Sequence, residues 1–331
     1  MSDGCKVDPP ATSRKTALIL AGAAAKGPFA AGALSVVASR KEFEITRVVG
    51  TSSGALNAAV FAAGLRVGNP ARAAERLGDL WKNTATALNI ITFCQRKKIV
   101  KGALGEFRQL DDKERLDLRL RIAITTLDGN VPPSAPRPYT TYEATKIYDT
   151  TDFTSDEGID DIAGHAIASA AIPFVFSPVR LDGTTYVDGG VVDNAPIAWA
   201  LNEDEEIEDL IVVTSDPPVA ARPKCITRFP LFAVINVVVR ERLTRDLFAA
   251  YSFNAELEKL AALGVDMKRV RRELKWRHLN IVEIRPKKET AGNFLSGFLC
   301  KSQRVGNWEA GVAAAKEAFE ASSPPERQVL A

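Results

Sequence analysis

The sequence predicts an α/β fold with a mostly parallel sheet, in one domain over 15–325 behind a disordered polar tail at 1–14. Three observations carry this. Short apolar runs of strand length alternate with longer runs of helical spacing. The run Val48-Val49 ends in the small-residue turn Gly50-Thr51-Ser52-Ser53-Gly54 and leads straight into Ala55-Leu56-Asn57-Ala58-Ala59, which is the order strand, turn, helix. No repeat period or low-complexity linker divides the chain, so the additional C-terminal helices are expected to pack on the same sheet.

Taken in order, 16–20 reads as a buried first strand, 21–28 as a Gly/Ala loop and 29–40 as a helix. Residues 44–49 give the second strand. Helices follow over 57–65 and 71–83, punctuated by Gly64 and Gly68-Asn69-Pro70. The basic, mixed segment 88–117 is read as a solvated face, with contact to anionic head groups as the alternative. A strand is predicted over 118–125, and Tyr139-Thr140-Thr141-Tyr142 suggests an edge strand behind a Pro-rich loop. Residues 161–171 form a small-residue helix ending before Pro173, with Phe174, Val175 and Phe176 as an apolar wall. Asp182-Gly183 marks a hairpin turn that delivers Val187-Asp188-Gly189-Gly190. Further strands are expected over 210–214 and 279–284, and helices over 240–263, 267–277 and 307–321.

Composition narrows the function. The chain has 331 residues and is 46% hydrophobic, enough for a sizeable core. Lys and Arg total 43 against 41 acidic residues, so the net charge of +2 gives no overall field pointing to nucleic acid. Cys5, Cys94, Cys225 and Cys300 form no Cys-x-x-Cys pair and suit free thiols in a reducing compartment. The N-terminus lacks the apolar core of a signal peptide. The longest nearly uncharged stretch, 229–239, is too short to span a bilayer. These features predict a cytoplasmic protein, and a protein exported without a cleaved signal would share them. Gly22 and Gly27 give the frame of a phosphate loop, but Pro28 stands where its lysine belongs. A dinucleotide fingerprint fails because Ala24 replaces its second glycine. No cofactor and no metal are expected.

Within the elbow, Ser52 is the candidate nucleophile, and Gly50 and Gly54 permit the tight turn and the close approach of helix to strand. The pentapeptide alone is equally satisfied by a plain strand-to-helix turn. Asp188, between a strand end and two glycines, is placed for chemistry, and its bland alternative is a turn residue. His165 lies on a helix as an ordinary helix histidine, and His278 sits in the basic run Lys275-Trp276-Arg277-His278. A serine hydroxyl needs an adjacent base. With only two histidines, neither in a motif, a carboxylate is the more economical choice. Burial would raise the Asp188 pKa and strengthen it as a base.

The Gly/Ala loop after the first strand, the Gly-x-Ser-x-Gly elbow and the downstream Asp188-Gly189-Gly190 occur in a specific order. Joined to Ala25-Lys26-Gly27 with Ala31-Gly32, to Ala168-Ser169-Ala170-Ala171-Ile172-Pro173 with Phe176-Ser177-Pro178-Val179, and to Asn194-Ala195-Pro196, they resemble the patatin-like phospholipase family from about residue 16 to 216. The resemblance implies a three-layer α/β/α fold and a Ser52–Asp188 dyad. It also implies metal-free hydrolysis of lipid acyl esters, with phospholipid or lysophospholipid taken at a membrane surface. Lys26, Gly27, Gly189 and Gly190 support the motif.

Where that family usually carries three consecutive glycines, this chain has Gly22-Ala23-Ala24. The backbone N–H groups of Gly22, Ala23, Ala24 and Ser53 are the expected oxyanion hole, with both alanines at φ values an L-residue tolerates. Residues 229–235 and 293–299 are candidates for peripheral membrane contact; core packing is the favoured reading of the first stretch and stands level with lipid contact for the second. Two other functions stay open: a Ser-His-Asp esterase using His278, and a catalytically impaired lipid-binding or interaction protein, for which Ala23 and Ala24 are the argument.

Overall fold

The computed structural model describes residues 14–86, 92–108, 118–128, 145–197, 200, 206–218, 230–274, 276–292 and 296–322. Their strands form one eight-stranded sheet in the order β5-β6-β3-β2-β1-β7-β8, with β4 against β3. The parallel centre comprises β1 (Arg14–Leu20), β2 (Phe43–Thr51), β3 (Arg119–Thr126), β7 (Asp209–Val213) and β8 (Asn280–Ile284). β4 (Thr145–Thr150), β5 (Val179–Leu181) and β6 (Thr184–Val187) add an antiparallel margin.

Alternation along the strands divides the apolar residues between two cores. Leu18, Leu20, Val48, Ile122 and Ile211 face the first. The helices that cover it are α1 (Gly27–Val37), α2 (Ser53–Arg66), α3 (Pro70–Asp79), α4 (Phe93–Arg108), α5 (Asp156–Ser169) and α9 (Lys301–Ser322). Ala17, Ile19, Val49, Leu210 and Val212 face the second, against Leu243 and Leu247 of α6 (Pro230–Ala262) and the segment around Ile197. This is a three-layer α/β/α arrangement. α7 (Met267–Leu274) and the short α8 (Ser296–Leu299) complete the elements used below.

Several elements extend past the predicted bounds. The segment read as a solvated basic face contains α4, whose Val100, Ala103, Leu104 and Phe107 recur at helical spacing and are buried. The interspersed cations obscure that stripe in the sequence. α5 starts five residues early because the Ser155 hydroxyl accepts from the Gly158 N–H at 2.8 Å, and Asp156 and Glu157 occupy its first turn. α6 begins ten residues before the predicted 240, at Pro230, which suits a first helical position. β1 begins at Arg14, inside the segment read as tail. The suggested edge strand at 139–142 lies outside the described residues, as do residues 229 and 293–295 and the side chains of 230–236.

Candidate active site

β2 delivers Ser52 at the mouth of α2 with φ 54° and ψ −127°. A non-glycine residue there costs on the order of 1–3 kcal/mol and persists only where its surroundings enforce it. Two devices do so. A Cβ at Gly54 would stand 2.1 Å from the Leu20 carbonyl, so glycine lets α2 enter hard against β1. The Ser52 N–H donates to Ser169 Oγ at 2.8 Å, and Ser169 Oγ donates in turn to the Ala123 carbonyl at 2.6 Å, fastening the elbow to α5 and β3.

Asp188 arrives from the hairpin. Asp182 and Gly183 sit at φ 48° and 80°, the two positive values that a tight two-residue turn requires, and Leu181 pairs with Thr184 across it. Val187 then pairs with Thr125 at the end of β3, and the Asp188 N–H donates to the Ala171 carbonyl at 2.9 Å.

The two candidate residues meet here. Ser52 Oγ donates to Asp188 Oδ2 at 2.6 Å, while Asp188 Oδ1 accepts from the Gly190 N–H at 2.8 Å. Ser52 is 4% exposed and Asp188 5%. Burial pushes the Asp188 carboxyl up to about 7, because desolvation outweighs the donors Ser52 and Gly190 that favour its charged form. The result is a base matched to neutral pH, in contact with a hydroxyl.

Neither histidine joins them. His278 Nε2 lies 3.2 Å from Glu258 Oε1 at the surface. His165 stacks on Tyr148 with ring centres 3.9 Å apart, and its Nδ1 lies 2.8 Å from the Asp161 carbonyl. Among the described residues, no group of three or more His, Cys, Asp and Glu could hold a metal ion.

The loop after β1 separates the four candidate N–H donors. Gly22 N–H donates to the Asn194 carbonyl at 3.3 Å, and Ala23 N–H donates to Ser53 Oγ at 3.0 Å. A Cβ at Gly22 would fall 2.4 Å from Asn194 Oδ1, which explains the glycine retained there. Ala24 and Ser53, the other two, line the same cavity as Ser52. Ala23 adopts an ordinary φ of −145°, but Ala24 sits at 47°. The expectation of tolerated angles therefore fails at Ala24, since the left-handed region brings Cβ too near the following carbonyl oxygen. Lys26 points its ammonium to Glu289, at 3.4 Å.

That cavity encloses about 800 Å³ of empty space, its open mouth included, and its walls are almost wholly apolar. Leu56, Val60, Leu77, Trp81, Val100 and Ile167 contribute from five elements. Trp81 is held by its Nε1–H, which donates to Asn57 Oδ1 at 2.7 Å. Asn57 Nδ2 donates onward to the Gly27 carbonyl at 3.0 Å. Sequence reasoning did not single out Ser169, Asn57 or Trp81 as site residues; buried polar groups on apolar helix faces were the available signal.

A family model described as patatin-like phospholipase matches residues 18–201, more than half of the chain. No curated protein matches. Among solved structures, the crystal structure of VipD from Legionella pneumophila aligns with 94% of this chain and 67% of that chain, at 16% identity and a TM-score of 0.46.

Proposed function

The chain belongs to the patatin-like phospholipase family, and on that premise we propose that it is a serine lipid acyl hydrolase working through Ser52 and Asp188. The reading rests most on one observation, the 2.6 Å hydrogen bond between a strained, buried serine and a carboxyl whose pKa burial has raised to about 7.

Ser52 Oγ attacks the ester carbonyl carbon as Asp188 Oδ2 takes its proton. The developing oxyanion faces the N-terminus of α2, where the Ser53 N–H and the Ala24 N–H are the proposed donors and the helix dipole favours negative charge. Gly22 and Ala23, whose N–H groups are engaged within the protein, shape the loop that carries Ala24. Collapse of the tetrahedral intermediate expels the alcohol, which regains the proton from Asp188. Water then resolves the acyl-enzyme by the same steps, with Asp188 again accepting the proton. The apolar cavity receives the acyl chain of a phospholipid or lysophospholipid drawn from a membrane surface. Among the described residues, no helix is long and apolar enough to cross a membrane. Peripheral contact is the mode proposed.

Labelling with a fluorophosphonate, mapped to the modified residue, together with turnover of phospholipids and soluble monoesters, tests the reading. Modification of Ser52 with ester hydrolysis is expected. A lipid-binding protein without catalysis is the second reading, favoured by the engaged N–H groups of Gly22 and Ala23. Saturable lipid binding with neither labelling nor turnover would replace the first by the second.

A further inference from the structure

Arg96 has no part in the ester chemistry. It projects from α4 into the cavity wall beside Ile99 and Val100 and is only 8% exposed. Its Nε donates weakly to the Thr92 carbonyl at 3.4 Å, and its guanidinium lies over the Phe176 ring, 4.2 Å from the centre. Nη1 is buried with no hydrogen-bond partner among the described residues.

The other cations of α4 are treated differently. Lys97 and Lys101 both pair with Asp160 of α5, and Arg108 pairs with Asp156. Lys98 stands in solvent, so of the α4 cations Arg96 alone is buried without a carboxylate among the described residues. Asp188 does not supply one, because the groups acting on its carboxyl are Ser52 and Gly190. Burial lowers the Arg96 pKa to about 10, which leaves the side chain charged at neutral pH.

A buried, unpaired cation is costly, and an entering anion relieves that cost. In a cavity of low dielectric the attraction acts over several ångströms, so it reaches an anion anywhere near this wall. A guanidinium suits phosphate, which it can meet with two parallel N–H groups.

We propose that Arg96 is a specificity-determining residue that receives the phosphate of the amphiphile whose ester lies at Ser52, so that the cavity selects phosphate-bearing lipids over neutral esters. The proposal rests on the hydrolase reading for its biological meaning, but its binding test is independent of turnover. Phosphate could come from a lipid head group or from solution, and the arms of the test separate the two.

The full-length chain carrying Ser52→Ala is titrated with dodecylphosphocholine below its micelle concentration, monododecanoylglycerol, dodecanoate and inorganic phosphate. Tryptophan fluorescence is the readout, since Trp81 lines the cavity. Adding Arg96→Met should weaken dodecylphosphocholine at least tenfold and leave monododecanoylglycerol within twofold, with Arg96→Lys between. Thermal melting checks the fold, and the neutral Arg96→Gln serves if the Met variant does not fold.

Equal effects on both amphiphiles, or on neither, would overturn the proposal. So would a larger Arg96 dependence for dodecanoate, or competition by inorganic phosphate as strong as by the amphiphile. In the Ser52 parent, Arg96→Met should cut kcat/KM for lysophosphatidylcholine at least tenfold relative to a 4-nitrophenyl ester. If the parent turns over neither substrate, the hydrolase reading fails, and the binding titration still decides the role of Arg96.

Discussion

Ser52 Oγ and Asp188 Oδ2 stand 2.6 Å apart although 136 positions separate them in the chain, and each is delivered by a turn with positive φ. In the proposed mechanism both residues act in the same proton transfer, so their losses should not add. Ser52→Ala and Asp188→Asn are each expected to remove nearly all esterase activity, and the double variant should be no worse than the weaker single one. Purified proteins with native circular dichroism, assayed on a short-chain ester, provide the check. Substantial turnover in either variant would remove the dyad.

The same carboxyl predicts opposite pH trends for rate and stability. The proposed mechanism needs the charged form, so kcat/KM should rise with pH through about 7. Stability runs the other way. The folded state holds the Asp188 proton up to about 7, whereas an unfolded aspartate releases it near 3.8. Between those values the native state binds more protons, so the contribution of this residue falls as pH rises. Asp188→Asn should therefore raise the melting temperature more at pH 8 than at pH 5. An equal shift at both would show that the carboxyl titrates normally.

Much of this was legible in the sequence because it rests on local chemistry. The elbow follows from two glycines beside a β-branched run, and the hairpin that carries Asp188 follows from Asp182-Gly183. What escaped depends on partners distant in sequence. α4 was hidden because cations interrupt its apolar stripe, and that its Arg96 is buried without a carboxylate among the described residues is something only packing reveals. Ser169 looked like one small residue among alanines, and its role appears when Ser52 and Ala123 converge on it from two strands. The left-handed φ of Ala24 was invisible too, because alanine is ordinarily an αR residue.

Ser169 accepts from the Ser52 N–H and donates to the Ala123 carbonyl, so Ser169→Ala leaves two buried backbone groups without their partner. We expect a loss of about 2 kcal/mol in stability. Turnover should fall because the elbow loses one of the contacts that hold its strained angle. Urea unfolding and kcat on the same preparation test both effects. A variant as stable as the parent would show that water or a backbone shift replaces the hydroxyl.

Ala24→Gly should help where most core changes harm. The left-handed conformation costs an alanine about 1–2 kcal/mol, and the greater freedom of glycine in the unfolded chain returns about 0.5–1 of this. A net gain of about 0.5–1 kcal/mol is expected, read from the urea midpoint. If the strain also holds the N–H off its best alignment, kcat should rise. Ala23→Gly, at an ordinary φ of −145°, should be neutral or slightly destabilising. The reverse order of the two variants would contradict the loop geometry.

Phe174 supplies the last prediction. It sits at φ 67° and is 79% exposed, between Ile172 and Phe176, both of which line the cavity. An exposed aromatic ring in a strained conformation gains nothing from packing. The turn is fixed from below, where the N–H groups of Val175 and Phe176 both donate to the Ile172 carbonyl, at 3.1 and 2.9 Å. Leu299, 77% exposed, follows the cavity residue Phe298. Two bare apolar side chains thus neighbour residues of the same cavity, an arrangement suited to an interface rather than to water. Burying a phenylalanine is worth about 1.5–3 kcal/mol, so Phe174→Ser should weaken partition onto phospholipid vesicles by roughly tenfold or more. Turnover of a soluble short-chain ester should stay within about twofold of the parent. Phe174→Gly should weaken vesicle binding equally while raising stability, because it relieves the angle as well as removing the ring. Vesicle binding at the parental level in both variants would show that this ring does not meet the lipid. A parallel loss on the soluble ester would place its role within the cavity instead.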